Sequence, residues 1–181
     1  MKSKLSIIVP ALLLCGGIFV AYQFIKDNRK LPVYAPSQIN PDYVADFFFT
    51  TCPTICPDMS SQLQRVQKKY SNLDDFLIIS HTVQPEIDSP EVLKEYAELY
   101  EADTKRWIFL TGDKKTIYDL ARKSYFAAVT EGDGGVDDFI HTENFVLVDK
   151  EKRIRGFYDG TSAKSVDQLI VDIEILAQEY E

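Results

Sequence analysis

Two thiols four positions apart raise the question of chemistry. Cys52 and Cys56 stand in Thr50-Thr51-Cys52-Pro53-Thr54-Ile55-Cys56-Pro57, directly after an apolar run over residues 43–49. Thiols at this spacing can hold a soft metal ion or cycle between dithiol and disulfide. The third cysteine, Cys15, lies in an N-terminal apolar stretch. The two that remain are too few for a disulfide framework, so they read as reactive or metal-binding. The chain has two histidines, His81 and His141. Two thiolates and one imidazole form a soft three-donor set that suits copper, Cu(I) above all, whereas zinc would want a fourth donor. Thiol–disulfide chemistry without metal stays open beside it, as in C-x-x-C redox motifs. His141 follows an acidic loop and opens a strand. His81 ends a strand at the same sheet edge, so spacing does not exclude it. Glu86 and Asp88 read as loop charges, Asp88 also as a helix-start residue.

The elements that would carry these residues can be taken in order. The run over 43–50 reads as a buried strand with both cysteines at its C-terminal mouth. Met59, Leu63, Val66 and Tyr70 recur at helical spacing, which predicts an amphipathic helix over 58–70. The free N–H groups and dipole of that helix would favour thiolate. The i, i+4 spacing would put both sulfurs on one face of its first turn. Residues 76–80 read as a short buried strand and 81–88 as a loop. Ser89-Pro90-Glu91 opens a helix to about residue 100, with serine as N-cap and proline at the first helical position. A strand over 106–111, a helix from Asp113 to about 124, and a strand or loop over 125–129 follow. Residues 130–138 read as an exposed acidic loop. Strands 144–149 and 154–158 form a hairpin, and a helix over 165–179 closes the chain, with Val166, Leu169, Ile170, Ile173 and Leu176 on one face. This succession predicts an α/β domain on a central sheet, where ligands bind at the strand C-terminal ends.

Composition narrows the function classes. The 181 residues carry 20 basic and 28 acidic side chains, net −8. Five of the basic groups and one acid fall in the first thirty residues, so the remainder carries 15 against 27, net −12. So acidic a body excludes the basic footprint of a nucleic-acid-binding protein. There is no glycine-rich phosphate loop, no G-x-S-x-G and no H-E-x-x-H.

Residues 5–25 hold no charged side chain and follow Lys2 and Lys4. The stretch is long enough to span a bilayer as a helix and longer than a usual signal-peptide apolar region. The expected organisation is an uncleaved anchor over 1–30, a proline-containing tether over 31–42, and a folded domain over 43–181. The body is expected on the extracytoplasmic side of the membrane.

The residues then resemble a family. Asp46-Phe-Phe-Phe-Thr-Thr-Cys-Pro-Thr-Ile-Cys-Pro57 is similar to the signature of the SCO/SenC copper chaperones, and Asp88-Ser89-Pro90 resembles the family's second block. Trp107-Ile-Phe-Leu-Thr-Gly112 resembles its third, and His141-Thr-Glu-Asn-Phe-Val-Leu-Val-Asp149 its histidine block. The resemblance implies a thioredoxin-like fold with a central mixed sheet and an N-terminal transmembrane helix. It implies one copper ion per chain, Cu(I) or Cu(II), bound by Cys52, Cys56 and His141. It also implies a single-pass protein of the cytoplasmic membrane with its domain on the periplasmic side. Its role would be to help assemble the binuclear copper centre of cytochrome c oxidase subunit II, by copper delivery, thiol reduction or both. Another copper-receiving partner and a copper-sensing output share the same site. On this reading the protein is a metallochaperone more than an enzyme, and the alternative is a thiol–disulfide oxidoreductase using Cys52 and Cys56 alone. Two departures stand out. The family's N-terminal hairpin has too little sequence between anchor and first strand. Gln84 also replaces an aspartate before the second-block proline, which leaves Asp88 as the candidate for an outer role at the site.

Overall fold

The computed structural model describes residues 42–179 except 74, 129, 130, 133 and 136. The expected anchor, nearly all of the tether and the shortened hairpin lie outside the described residues. Among the described residues no helix is long and apolar enough to cross a membrane.

Ten elements follow one another: β1 (Asp42–Phe48), α1 (Ile55–Lys69), β2 (Phe76–Thr82), α2 (Pro90–Leu99), β3 (Trp107–Leu110), α3 (Lys114–Asp119), a π-helical turn (Leu120–Ser124), β4 (Asn144–Val148), β5 (Ile154–Asp159) and α4 (Ala163–Gln178). The five strands form one mixed sheet in the order β3-β2-β1-β4-β5. β1, β2 and β3 run parallel, while β4 and β5 are antiparallel to their neighbours. The expected mixed central sheet is therefore present, with the cysteine-bearing strand at its centre. A central strand is covered on both faces, which is why β1 and β2 are almost continuously buried.

Alternate residues of β1 feed two cores. Val44 packs with Met59, Leu63 and Val66 of α1 and Val166, Leu169, Ile173 and Leu176 of α4. Tyr43, Ala45 and Phe47 face the other way, into a core with Ile117, Tyr118, Ala121, Tyr125 and Ile140. A smaller cluster at the C-terminal mouth of β1 joins Phe48, Cys52 and Cys56 to Leu93 and Tyr96 of α2. Phe48 stacks at a tilt on Tyr96 with ring centroids 5.0 Å apart, and the Tyr96 hydroxyl lies 2.8 Å from that of Ser60 on α1.

Several boundaries differ from the sequence reading. α1 starts at Ile55, ahead of Pro57, because the first turn of a helix has no N–H partners to lose. His81 belongs to β2 and not to the following loop, paired in register with Phe47 and Leu110. The helix from Asp113 keeps α-helical form only to Asp119 and then widens into the π turn. The described residues 125–128 form no strand.

The far end of the sheet is closed by a buried ion network. Arg155 on β5 donates to Asp149 Oδ2 at 2.8 Å and to both carboxylate oxygens of Glu179, just past α4, at 2.8 and 3.0 Å. Arg155 is 2% exposed and Asp149 is fully buried. Asp149 also pairs with Arg153 at 2.8 Å, so removing Arg155 takes one of two cations from that buried carboxylate and breaks the Glu179 pair as well. Arg155→Ala is therefore expected to lower the urea-unfolding free energy by about 3 kcal/mol, read from the midpoint with an unchanged slope.

Candidate metal and thiol site

The site begins where β1 ends. A turn carries the chain from Phe49 to Thr54, with the Cys52 N–H donating to the Phe49 carbonyl at 3.2 Å. α1 then starts at Ile55, so Cys56 lies inside its first turn while Cys52 stands before it. The two sulfurs thus meet through the turn and not, as their spacing suggested, along one helical face. Thr54 occupies the N-cap position but gives no side-chain cap. The sulfur of Cys52 lies at that helix terminus, where the backbone N–H groups of Thr54 and Cys56 favour its anion.

This arrangement separates the two thiols electrostatically. Burial opposes ionisation of Cys52. The N–H groups of Thr54 and Cys56, the Cys56 thiol and the Thr54 hydroxyl (3.8 Å away) outweigh it and lower its pKa to about 7. Burial pushes Cys56 far up, against a backbone hydrogen bond from Phe49, and its neighbours Cys52 and Asp46 add to the rise. Both cysteines are free and buried. Cys52 is therefore the thiolate-forming member and Cys56 the protonated one.

The turn is held from the side by the segment after β2. Asp88 is fully buried. Its carboxylate accepts from the Thr50 N–H at 3.2 Å, from the Thr50 hydroxyl and from the Thr82 hydroxyl. Gln84 Oε1 accepts from the Thr51 hydroxyl at 2.8 Å. Asp88 is thus a structural clamp on the cysteine turn and not a solvated loop charge.

Asp46 escaped the residue-by-residue reading, although an acid in an apolar strand is itself a signal. It is 1% exposed, on the same face of β1 as Val44 and Phe48. Ser80 donates to its Oδ1 at 2.5 Å, and the Trp107 indole N–H donates to Ser80 at 2.8 Å. Burial raises the Asp46 carboxyl to about 7, against the pull of the hydrogen bonds from Ser80 and from its own backbone.

The two histidines part company. His81 points to the opposite face of the sheet, stacked on Phe47 at 5.0 Å and tilted against Tyr125 at 5.5 Å. Its Nε2 is buried without a hydrogen-bond partner, and burial lowers its pKa to about 4. His141 is exposed and lies at the edge of the Phe49 ring, centroids 6.3 Å apart. Phe49 packs in turn against the cluster that holds both cysteines. The structure therefore joins Cys52 to Cys56 and leaves His141 one phenyl ring away. Among the described residues no three His, Cys, Asp or Glu side chains draw together into a metal-holding group.

Two outcomes are expected. Alkylation by iodoacetamide should modify Cys52 first, with a rate that rises through a midpoint near pH 7, and should leave Cys56 in the folded chain unmodified. Peptide mapping across pH 5–9 checks this. For Asp46 the folded pKa lies above the unfolded value of 3.8, so the native state binds the extra proton and its stability falls as pH rises from about 4 to about 7. Asp46→Asn removes that slope. Its stability relative to wild type should therefore grow between pH 4 and pH 8 by on the order of 4 kcal/mol, measured by denaturant unfolding at each pH.

The sequence model of the SCO1/SenC family matches residues 22–178. The chain is 37% identical over 134 residues to the SCO1 protein homolog of Bacillus subtilis, covering 73% of this chain and 69% of that protein. The structure superposes on that of BsSco, described as a member of the Sco family of cytochrome c oxidase assembly proteins with a disulfide switch. The TM-score is 0.63 at 36% identity, covering 75% of this chain and 80% of the other. It superposes on copper-bound yeast Sco1 with a TM-score of 0.55 at 25% identity, covering 75% and 80%. The sheet order, the cysteine-bearing turn and these matches together place the chain in the SCO1/SenC family, with its thioredoxin-like architecture.

Proposed function

We propose that this chain is a membrane-anchored copper-binding chaperone that serves cytochrome c oxidase assembly. It would deliver copper to subunit II, reduce that subunit's cysteines, or do both. The observation that carries the reading is the juxtaposition at one sheet edge of two free thiols, one of them ionisable near neutral pH, with an exposed imidazole one ring away. Sulfur and imidazole nitrogen are soft donors that fit copper. Copper is the cargo, one ion per chain, held by Cys52, Cys56 and His141. The relatives support the reading in kind: one solved neighbour carries copper, and another is described as an oxidase assembly protein.

The residues divide the work. The Cys52 sulfur is the first donor, because the N–H groups of the α1 terminus already stabilise its anion. Cys56 must lose its proton to bind, so affinity rises with pH. His141 is open to solvent, as suits a donor that must be surrendered to a partner. The apolar stretch over 5–25 would hold the domain at the outer face of the cytoplasmic membrane.

The inequality of the two thiols favours a second reading, a thiol–disulfide reductase. The Cys52 thiolate attacks a substrate disulfide, displaces one sulfur as thiolate and forms a mixed disulfide. Cys56 then loses its proton and attacks Cys52, so two electrons pass to the substrate and the chain keeps a Cys52–Cys56 disulfide.

Copper content and absorption of the full-length chain, loaded under reducing and then oxidising conditions, separate the two. The chaperone predicts one copper per chain and a thiolate-to-Cu(II) charge-transfer band that His141→Ala abolishes. A folded wild-type chain that keeps no copper while its cysteine pair cycles readily would overturn it in favour of the reductase.

A further inference from the structure

We propose that the Arg122–Asp138 ion pair is the positioning element of His141, setting where the imidazole stands relative to the two thiols. The inference rests on His141 being the third copper ligand.

Asp138 precedes His141 by three residues. Its two carboxylate oxygens accept from the two terminal nitrogens of Arg122, each at 2.6 Å. Both side chains are about nine-tenths buried, at 10% and 9% exposure. The same carboxylate accepts from the Gly134 N–H at 2.8 Å. The Arg122 guanidinium beside Asp138 holds its carboxyl at about 2, so the pair is charged throughout the working range of pH. Gly132 and Gly134 of the loop crowd this carboxylate. A Cβ at Gly132 would collide with the Asp138 carboxylate, and Gly134 takes a φ of +77° that other residues rarely adopt.

Arg122 is itself fixed. It sits in the π turn over Leu120–Ser124, a widening of the helix often found at functional sites. Its guanidinium lies 5.4 Å from the centre of the Tyr118 ring. Tyr118 donates to the Val83 carbonyl at 3.0 Å and accepts from the Ile140 N–H at 3.4 Å. Tyr118 therefore ties the residue before His141 to the segment just after β2, which also holds the cysteine turn, and the ion pair ties the histidine loop to the turn that follows the Tyr118 helix.

From Asp138 onward the side chains alternate. Phe139 meets Phe49 edge-on at 5.1 Å, Ile140 is buried in the second core, and His141 emerges beside Phe49. Beyond His141, Thr142 Oγ1 and Asn144 Nδ2 donate to the Ala127 carbonyl at 2.7 and 3.0 Å. His141 is thus held by a neutral anchor after it and a charged, two-pronged anchor before it. A fork-to-carboxylate pair fixes orientation as well as distance.

The test uses the full-length chain as wild type, His141→Ala, Arg122→Gln, Asp138→Asn, Arg122→Lys and the charge-reversed double variant Arg122→Asp/Asp138→Arg. Copper affinity, the thiolate-to-Cu(II) band, the pH midpoint of Cys52 alkylation and the melting temperature are read for each. Arg122→Gln and Asp138→Asn are expected to weaken copper affinity about tenfold or more and to move the band toward that of His141→Ala. The Cys52 midpoint should stay near pH 7. The double variant should recover part of the band, and Arg122→Lys, which keeps the charge but loses the fork, should fall between. Arg155→Ala serves as the control for mere destabilisation and should leave the band alone. Should the single variants fail to fold, Arg122→Lys decides. A wild-type band and affinity in folded Arg122→Gln, Asp138→Asn or Arg122→Lys, with His141→Ala altered, overturns this inference alone. A wild-type band in His141→Ala overturns it together with the ligand reading.

Discussion

A carboxylate shut away from water must be surrounded by donors, and Asp88 draws its donors from two separate places. Thr50, in the turn that leads to Cys52, supplies its N–H and its hydroxyl; Thr82, at the end of β2, supplies another hydroxyl. A turn that leaves a buried strand is normally free to choose among conformations. This one is fastened to the neighbouring strand and, through Ser89, to the start of α2, where the Ser89 side chain accepts from the Val92 N–H. The distance between the two sulfurs, the approach of the Thr54 and Cys56 N–H groups to Cys52, and the packing of Phe49 all follow from where that turn is held. A buried carboxylate with charge-assisted partners is costly to disturb, which is what a fixed site needs from its scaffold.

The chemistry of the thiols follows from the same placement. Cys52 stands ahead of the helix and collects its unpaired N–H groups, and Cys56 stands inside it and is shielded. Two identical side chains therefore acquire opposite tendencies from position alone. Asp46 sharpens the contrast. It lies on the face of β1 that runs beneath the cysteine cluster, and its field, like its own raised pKa, opposes a second negative charge there. The structure tolerates one anion at this mouth easily and two only with a cation to compensate them.

Much of this could be read in the sequence. The strand pattern, the Ser89 cap, the hairpin and the apolar face of α4 follow from local periodicity and turn chemistry, and the structure keeps them. The cysteine pair announced itself by type and spacing. What escaped was set by partners distant in sequence. Asp138 reads as one more acid in an acidic loop until Arg122, sixteen residues earlier, is brought against it. Asp88 reads as a loop charge until Thr50, 38 residues away, turns toward it. His81 and His141 are equivalent on spacing, and only the alternation of β2 sends His81 to the far face against Phe47. The π turn is invisible to a search for a period of 3.6, since one extra residue breaks the count without changing the composition.

The two proposed roles of the site make different demands, and the asymmetry of the two thiols bears on both. Thiol exchange requires one reactive sulfur and one that waits, protonated, to resolve the mixed disulfide; a metal requires both sulfurs as anions. With Cys56 protonated, the pair is poised for exchange and holds a metal weakly. With a cation present, the second deprotonation becomes favourable and the same pair becomes a chelate. In the proposed copper site the imidazole would then decide how firmly. His141 is exposed and stands at the edge of Phe49, one ring away from the pair, so its contribution would depend on the loop that carries it and not on the thiols themselves. A donor supplied by a separately anchored loop can be added or withdrawn without unfolding the dithiol, which is what the proposed copper site would need in order to accept a metal ion and later give it up.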